Sequence, residues 1–212
     1  MKIHLIAVGG SIMHQLAITL YKNGHTISGS DDEIFDPAYT NLENAELLPK
    51  EKGWNPETVT NDLDAVILGM HAKKDNPELQ KAYALGLKTY SFPEFVYQQS
   101  KAKTRIVIGG SHGKTTITAM LMHVLARQER DFDYLVGAPV EGFERSVKIT
   151  DASLILLEGD EYLSSPTDPT PKFLHYYPQM AVLSGIAWDH INVFPTFENY
   201  LDQFRRFLDQ LD

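Results

Sequence analysis

Cysteine is absent from these 212 residues, which excludes disulfides, thiolate metal sites and cysteine nucleophiles. No apolar stretch approaches the roughly 20 residues of a membrane-crossing helix. The opening Met-Lys-Ile-His-Leu-Ile-Ala-Val-Gly-Gly reads as a strand and turn rather than a secretory signal, so no membrane partner is expected. Basic residues are scarce: 19 Lys and Arg stand against 28 Asp and Glu, a formal net charge of −9. Phosphate polymers need a basic field, so no nucleic acid partner is expected either. An anionic nucleotide can still be held locally, by backbone N–H groups and one or two lysines. Internal repeats and low-complexity tracts are also missing. A cysteine-free chain suits a cytoplasmic setting, and the 43% apolar and 22% charged residues are those of an ordinary soluble protein.

What the chain does have is alternation. Apolar runs of strand length take turns with helical patterns, which predicts an α/β fold with parallel sheets covered by helices. The first half reads as strand 3–8, helix 11–23, strand 26–29, a loop, strand 64–69, helix 77–86, strand 88–90 and helix 93–99. Asn76 can cap the helix at 77–86, with Pro77 at its first position. The polar stretch 98–104 lacks periodicity and places a domain boundary there, giving units 1–102 and 103–212. The second half reads as strand 104–108, a glycine loop, helix 114–126, strands 133–137, 152–158 and 180–184, and a helix at 197–210 capped by Thr196. That last helix carries Phe197, Leu201, Phe204 and Leu208 as one apolar stripe. So few strands predict a truncated phosphate-loop domain, whose unpaired sheet edge favours self-association.

The strand, loop and helix around Gly113-Lys114-Thr115 supply what a polyphosphate requires. Glycines let N–H groups point inward, the helix start adds positive potential, and a lysine reaches the β and γ oxygens. The Thr115 hydroxyl suits Mg²⁺. The general phosphate-loop pattern wants a glycine where Ile108 stands, so the loop belongs to a variant class or is a glycine turn with an incidental lysine. Near the N-terminus, scoring G-x-G-x-x-G puts Ala7, Gly9 and Ile12 at its three positions. Only the middle one matches, which argues against a nicotinamide cofactor. Asp31 sits where a ribose acceptor would, although a turn aspartate reads the same way. The strand at 152–158 ends in Glu158-Gly159-Asp160-Glu161, carboxylates placed to serve a metal at a strand's C-terminal end.

"GGSHGKTTITAM" resembles the ATP loop of the Mur ligases, which build the peptide stem of bacterial peptidoglycan. Gly110-Ser111-His112-Gly113-Lys114-Thr115-Thr116 differs from their Gly-Thr-x-Gly-Lys-Thr-Thr only by Ser for Thr. The opening Ile-His and glycine turn, Gly29-Ser30-Asp31 and "HAKKDNPEL" are similar to the family's UDP-sugar domain. The resemblance implies a Rossmann-like domain for UDP-N-acetylmuramate followed by part of an ATP-binding domain, with ATP and Mg²⁺ as cofactors. It implies that Gly9, Gly10, Ser11, Ile12, Asp31 and His71 serve the UDP-sugar, and that residues 110–116 serve ATP. It also implies a catalytic role for Lys114, Glu158 and His190, with Thr115, Glu158 and His190 at the metal. Imidazole is an unusual magnesium ligand, and a lone loop histidine is otherwise structural.

Within the family, Ile12 and "KFLHYYP" resemble the muropeptide-recycling branch, whose amine substrate is L-alanyl-gamma-D-glutamyl-meso-diaminopimelate. The alternatives are the branch that adds L-alanine and a binding module without turnover. Gly185, Ala187 and Asn192 depart from the family's usual Asn, Glu and Asp, which thins the negative charge around any second metal.

Overall fold

The computed structural model describes residues 1–211. It divides into two compact units, Met1–Phe95 with Ser165–Pro169, and Val96–Ser164 with the residues from Thr170 onward.

In the first unit β1 (Lys2–Ile6), α1 (Met13–Lys22), β2 (Thr26–Ser30), α2 (Ala38–Asn44), β3 (Ala65–Leu68), α3 (Pro77–Ala84) and β4 (Thr89–Ser91) follow in order. The four strands form a parallel sheet in the order β2-β1-β3-β4. Central strands of such a sheet are covered on both faces and read as continuous apolar runs. Accordingly Ile3, Leu5 and Ile6 of β1 and all four residues of β3 are buried. Asn76 caps α3, its side chain accepting from the N–H groups of Glu78 and Leu79, with Pro77 at the first helical position.

Helix α4 (Phe92–Ser100) leads into β5 (Thr104–Gly109), α5 (Lys114–Arg127), β6 (Asp133–Leu135), β7 (Val147–Lys148), β8 (Leu154–Glu158), the short pair β9 (Leu163–Ser165) and β10 (Asp168–Pro171), β11 (Met180–Leu183) and α6 (Phe197–Leu208). The second sheet runs β11-β5-β8-β6-β7. It is parallel except for β7, which pairs antiparallel with β6. The fold is therefore α/β with two parallel-type sheets, as the alternation predicts.

The structure adds to and corrects the sequence reading in three places. Helix α2 stands inside the stretch read as a loop; its "AYTNLEN" buries only Ala38 and Leu42, too few positions for a helical period. Strands β7, β9 and β10 are two to four residues long and carry no pattern. In α6 the buried stripe is Tyr200, Phe204 and Phe207, whereas Phe197 and Leu208 are more than 40% exposed. The expected Phe197, Leu201, Phe204, Leu208 stripe is thus rotated. The i, i+4, i+7 aromatics are the ones with ring partners: Phe173 lies 5.4 Å from Phe204 and 4.6 Å from Phe207, and Phe194 lies 5.4 Å from Tyr200. Thr196 caps α6 as expected, its hydroxyl accepting from Asn199 N–H.

Candidate functional site

In the second unit β5 delivers the glycine loop directly onto α5. Gly110 has φ 125°, and a Cβ there would collide with Ser184 Oγ and stand 2.9 Å from Gly185 O. Gly113 has φ 77° and is the residue before the first turn of α5. Both positions require glycine. The loop is tied down from one side: Ser111 N–H donates to Gly185 O at 2.9 Å, and Ala187 N–H donates to Ser111 Oγ at 2.8 Å. Gly185 has φ 147°, which gives a local reason for glycine where the family usually has Asn. His112 and Thr116 face solvent, and His112 O accepts from Ser184 Oγ.

Lys114 folds back over its own loop. Its ammonium donates to Gly110 O at 2.7 Å and pairs with Glu161 Oε2 at 2.8 Å. Thr115 Oγ1 donates to Glu158 Oε1 at 2.9 Å, and Gly137 N–H donates to Glu158 Oε2 at 2.9 Å. Glu158 is the last residue of β8 and Gly109 the last of β5, adjacent parallel strands. Ligands of open α/β sheets are held at such carboxyl ends.

His190 does not share the partners of Glu158. It has φ 53°, and its Nε2 lies 3.5 Å from Glu161 Oε1. One ligand atom each from Asp160, Glu161 and His190 lie within 4.8 Å of one another, a grouping that could hold a cation. Of the expected metal trio, Thr115 and Glu158 come together, while His190 joins two other carboxylates. Asn192 donates weakly to the Tyr162 hydroxyl at 3.3 Å, and Ala187 contributes only its backbone.

Burial pushes the Asp160 carboxyl up, but Lys172, 2.5 Å away, overrides it and holds the group below the usual carboxylate range. A depressed carboxyl stabilises the fold above its unfolded pKa, and that contribution is lost as pH falls through the folded value. Lys172→Met is therefore expected to lower stability at about pH 7 and to cost less once pH has fallen well below the ordinary aspartate value of about 3.9, for instance at about pH 2. Urea unfolding at the two pH values checks this; an equal loss at both would deny the ion pair a role.

Two partners escaped the sequence reading here. Tyr200 is buried, and its hydroxyl lies 2.8 Å from Ser111 Oγ and donates to Glu161 Oε1 at 3.0 Å. Burial, together with the Glu161 charge, raises its pKa, so it stays protonated. Gly137 meets Glu158 through a backbone N–H. Neither a tyrosine in an amphipathic helix nor a loop glycine carries a sequence signal for such a role.

In the first unit, a cavity of about 410 Å³ is lined by Gly9, Ser11, Asp31 and His71, four of the expected sugar-binding residues. Gly10 and Ile12 are not among its lining residues: Gly10 O accepts from His14 Nδ1, and Ile12 precedes α1. Asp31 is 3% exposed and accepts Gly9 N–H at 2.7 Å, and a Cβ on Gly9 would press to 2.9 Å from that same oxygen. Burial, with Asp32 beside it, raises the Asp31 carboxyl above its ordinary value despite the Gly9 bond. His14, also lining the cavity, is shifted downward by burial, so its ring is neutral near pH 7. With Nδ1 donating to Gly10 O, its Nε2 accepts from the Gln15 and Asn41 side-chain amides. Phe35, 68% exposed, also lines this cavity, and sequence reasoning passed it over. A larger space of about 610 Å³, between β2 and residues 46–55, contains none of the expected site residues.

Residues 2–104 match the family described as "Mur ligase family, catalytic domain", and residues 108–212 match "Mur ligase middle domain". The UDP-N-acetylmuramate–L-alanine ligase of Treponema pallidum is 32% identical over 99% of this chain and 42% of its own length. The UDP-N-acetylmuramate–L-alanyl-gamma-D-glutamyl-meso-2,6-diaminoheptandioate ligase of Haemophilus influenzae is 28% identical over 97% of this chain and 46% of its own. The chain thus spans less than half the length of these relatives. Among solved structures, the corresponding meso-diaminopimelate ligase of Neisseria meningitides superposes with a TM-score of 0.89, at 26% identity, over all of this chain and 68% of that one. With the two family descriptions together matching nearly every residue, the chain belongs to the Mur ligase family.

Proposed function

We propose that the first unit holds UDP-N-acetylmuramate and the second holds ATP, in a ligase that joins the sugar to L-alanyl-gamma-D-glutamyl-meso-diaminopimelate. One observation carries the reading: Lys114, Thr115 and Glu158 stand at the ends of β5 and β8, around a loop turned by left-handed Gly110 and Gly113 into the start of α5, a backbone shape that suits phosphate. The residues 1–102 and 103–212 are the corresponding sugar and nucleotide domains.

In the proposed reaction, an oxygen of the lactyl carboxylate attacks the γ-phosphorus and ADP leaves, which yields an acyl phosphate. The peptide's amine nitrogen then attacks the acyl carbon; inorganic phosphate leaves, and the nitrogen loses its proton. Both partners in the first step are anions, so their repulsion has to be offset. The Lys114 ammonium does this beside the β and γ oxygens, and the loop N–H groups fix the phosphates in line. No side chain acts as nucleophile. The hydroxyl of Thr115 and the carboxylate of Glu158 suit Mg²⁺, a hard cation that prefers oxygen, better than His190 does. When bound there, the ion adds charge neutralisation at the phosphates.

A ligase for L-alanine is the second reading, and the Treponema pallidum relative favours it. Ile12 speaks for the peptide-joining branch, because it is bulky where the pattern of the L-alanine branch has glycine. Calorimetric titration tests the sugar site: UDP-N-acetylmuramate should bind measurably and NAD should not. Tighter binding of NAD would overturn the assignment. A phosphate-release assay on the same chain distinguishes a working ligase from a binding module.

A further inference from the structure

We infer that Tyr200 is a positioning residue of the phosphate loop: its hydroxyl holds Glu161, and Glu161 sets where the Lys114 ammonium stands. The inference rests on the reading of that loop as a nucleoside triphosphate site.

The ring of Tyr200 is packed between Phe194 and Phe204, and only its hydroxyl leaves this apolar cluster, toward the loop. Counting protons fixes the direction of the contacts. An ionised Glu161 can only accept, so the Tyr200 proton goes to Glu161 Oε1. The single Ser111 proton then goes either to the Tyr200 oxygen or to Ala187 O, while Ser111 Oγ accepts from Ala187 N–H. In either case the Tyr200 proton ends on Glu161, which is 1% exposed and has the Lys114 ammonium on its other oxygen. His190 Nε2 stands at 3.5 Å from the oxygen that Tyr200 reaches.

With phosphate in the loop, Lys114 is shared with or surrendered to the phosphate oxygens. Glu161 is then a buried carboxylate deprived of its nearest cation, and such a group is costly unless hydrogen-bonded. The Tyr200 bond matters most in that state. Tyr200 therefore favours the arrangement in which Lys114 is released to phosphate, whereas the Glu161 charge opposes it by competing for the same ammonium. Removal of the two groups should change affinity in opposite directions.

The test is ATP titration of the wild-type chain, Tyr200→Phe, Glu161→Gln and the double variant, in EDTA so that no cation competes for Glu161, and again with Mg²⁺. The Tyr200→Phe variant would keep the ring contacts and lose only the hydroxyl, and thermal unfolding checks that each variant is folded. Hydrogen bonds to charged groups have effects large enough that Y200F should weaken ATP binding by roughly five- to tenfold. E161Q should tighten it in EDTA. In the E161Q background the Y200F effect should shrink to below about twofold, because its target charge is gone. A Y200F effect of equal size in both backgrounds, or weaker ATP binding by E161Q in EDTA, would overturn the inference while leaving the phosphate site intact. Absence of ATP binding by the wild type in both buffers would remove the phosphate-site reading and this inference with it.

Discussion

Glu158→Ala, in a ligase of the length its relatives have, is expected to lower turnover by roughly 10²–10³ while UDP-N-acetylmuramate affinity stays near wild type. The glutamate ends β8 and accepts from both Thr115 Oγ1 and Gly137 N–H. Alanine would remove the anion that suits Mg²⁺ beside the phosphates, and would leave two donors without their acceptor. The sugar cavity lies in the other unit and shares none of these residues. His190→Ala should do less, since His190 is grouped with Asp160 and Glu161 and imidazole is a poor magnesium ligand. Steady-state kinetics on the two variants decide the order. Damage from His190→Ala equal to or larger than that from Glu158→Ala would reverse the assignment of the principal metal ligand.

The largest loss of stability is expected from Phe204→Ala, on the order of 3–5 kcal/mol. Phe204 is 1% exposed and touches the rings of Phe173 and Tyr200, so its removal leaves a cavity that the neighbouring aromatics cannot easily fill. Phe197→Ala and Leu208→Ala should each cost no more than about 0.5–1 kcal/mol, because their side chains are already more than 40% exposed. Chemical denaturation of the three variants separates the observed face of α6 from the one that simple heptad counting selects. Comparable losses at Phe197 and Phe204 would contradict the packing described for this helix.

Much of this protein was determined by local chemistry and is readable in the chain. The alternation of apolar runs with amphipathic stretches points to parallel sheets covered by helices, since strands of such sheets are buried on both faces. Asn76-Pro77 and Thr196 mark helix starts because a side-chain oxygen there meets orphan N–H groups within three residues. The Gly-Lys-Thr loop and the carboxylates at 158–161 announce themselves for the same reason: their signal lies within a few residues. Tertiary structure alone decided what depends on distant partners. Which face of α6 is buried depends on where Phe173 and Phe194 arrive, not on the helix's own period. That His190, in a left-handed backbone conformation, stands beside Glu161 is likewise a contact between residues far apart in sequence. That Lys114 meets Glu161, and that a tyrosine in α6 steadies the pair, follows from contacts across 47 and 39 positions of sequence. No local pattern encodes such separations, because they are set by how strands are ordered in a sheet and how a helix is laid across it.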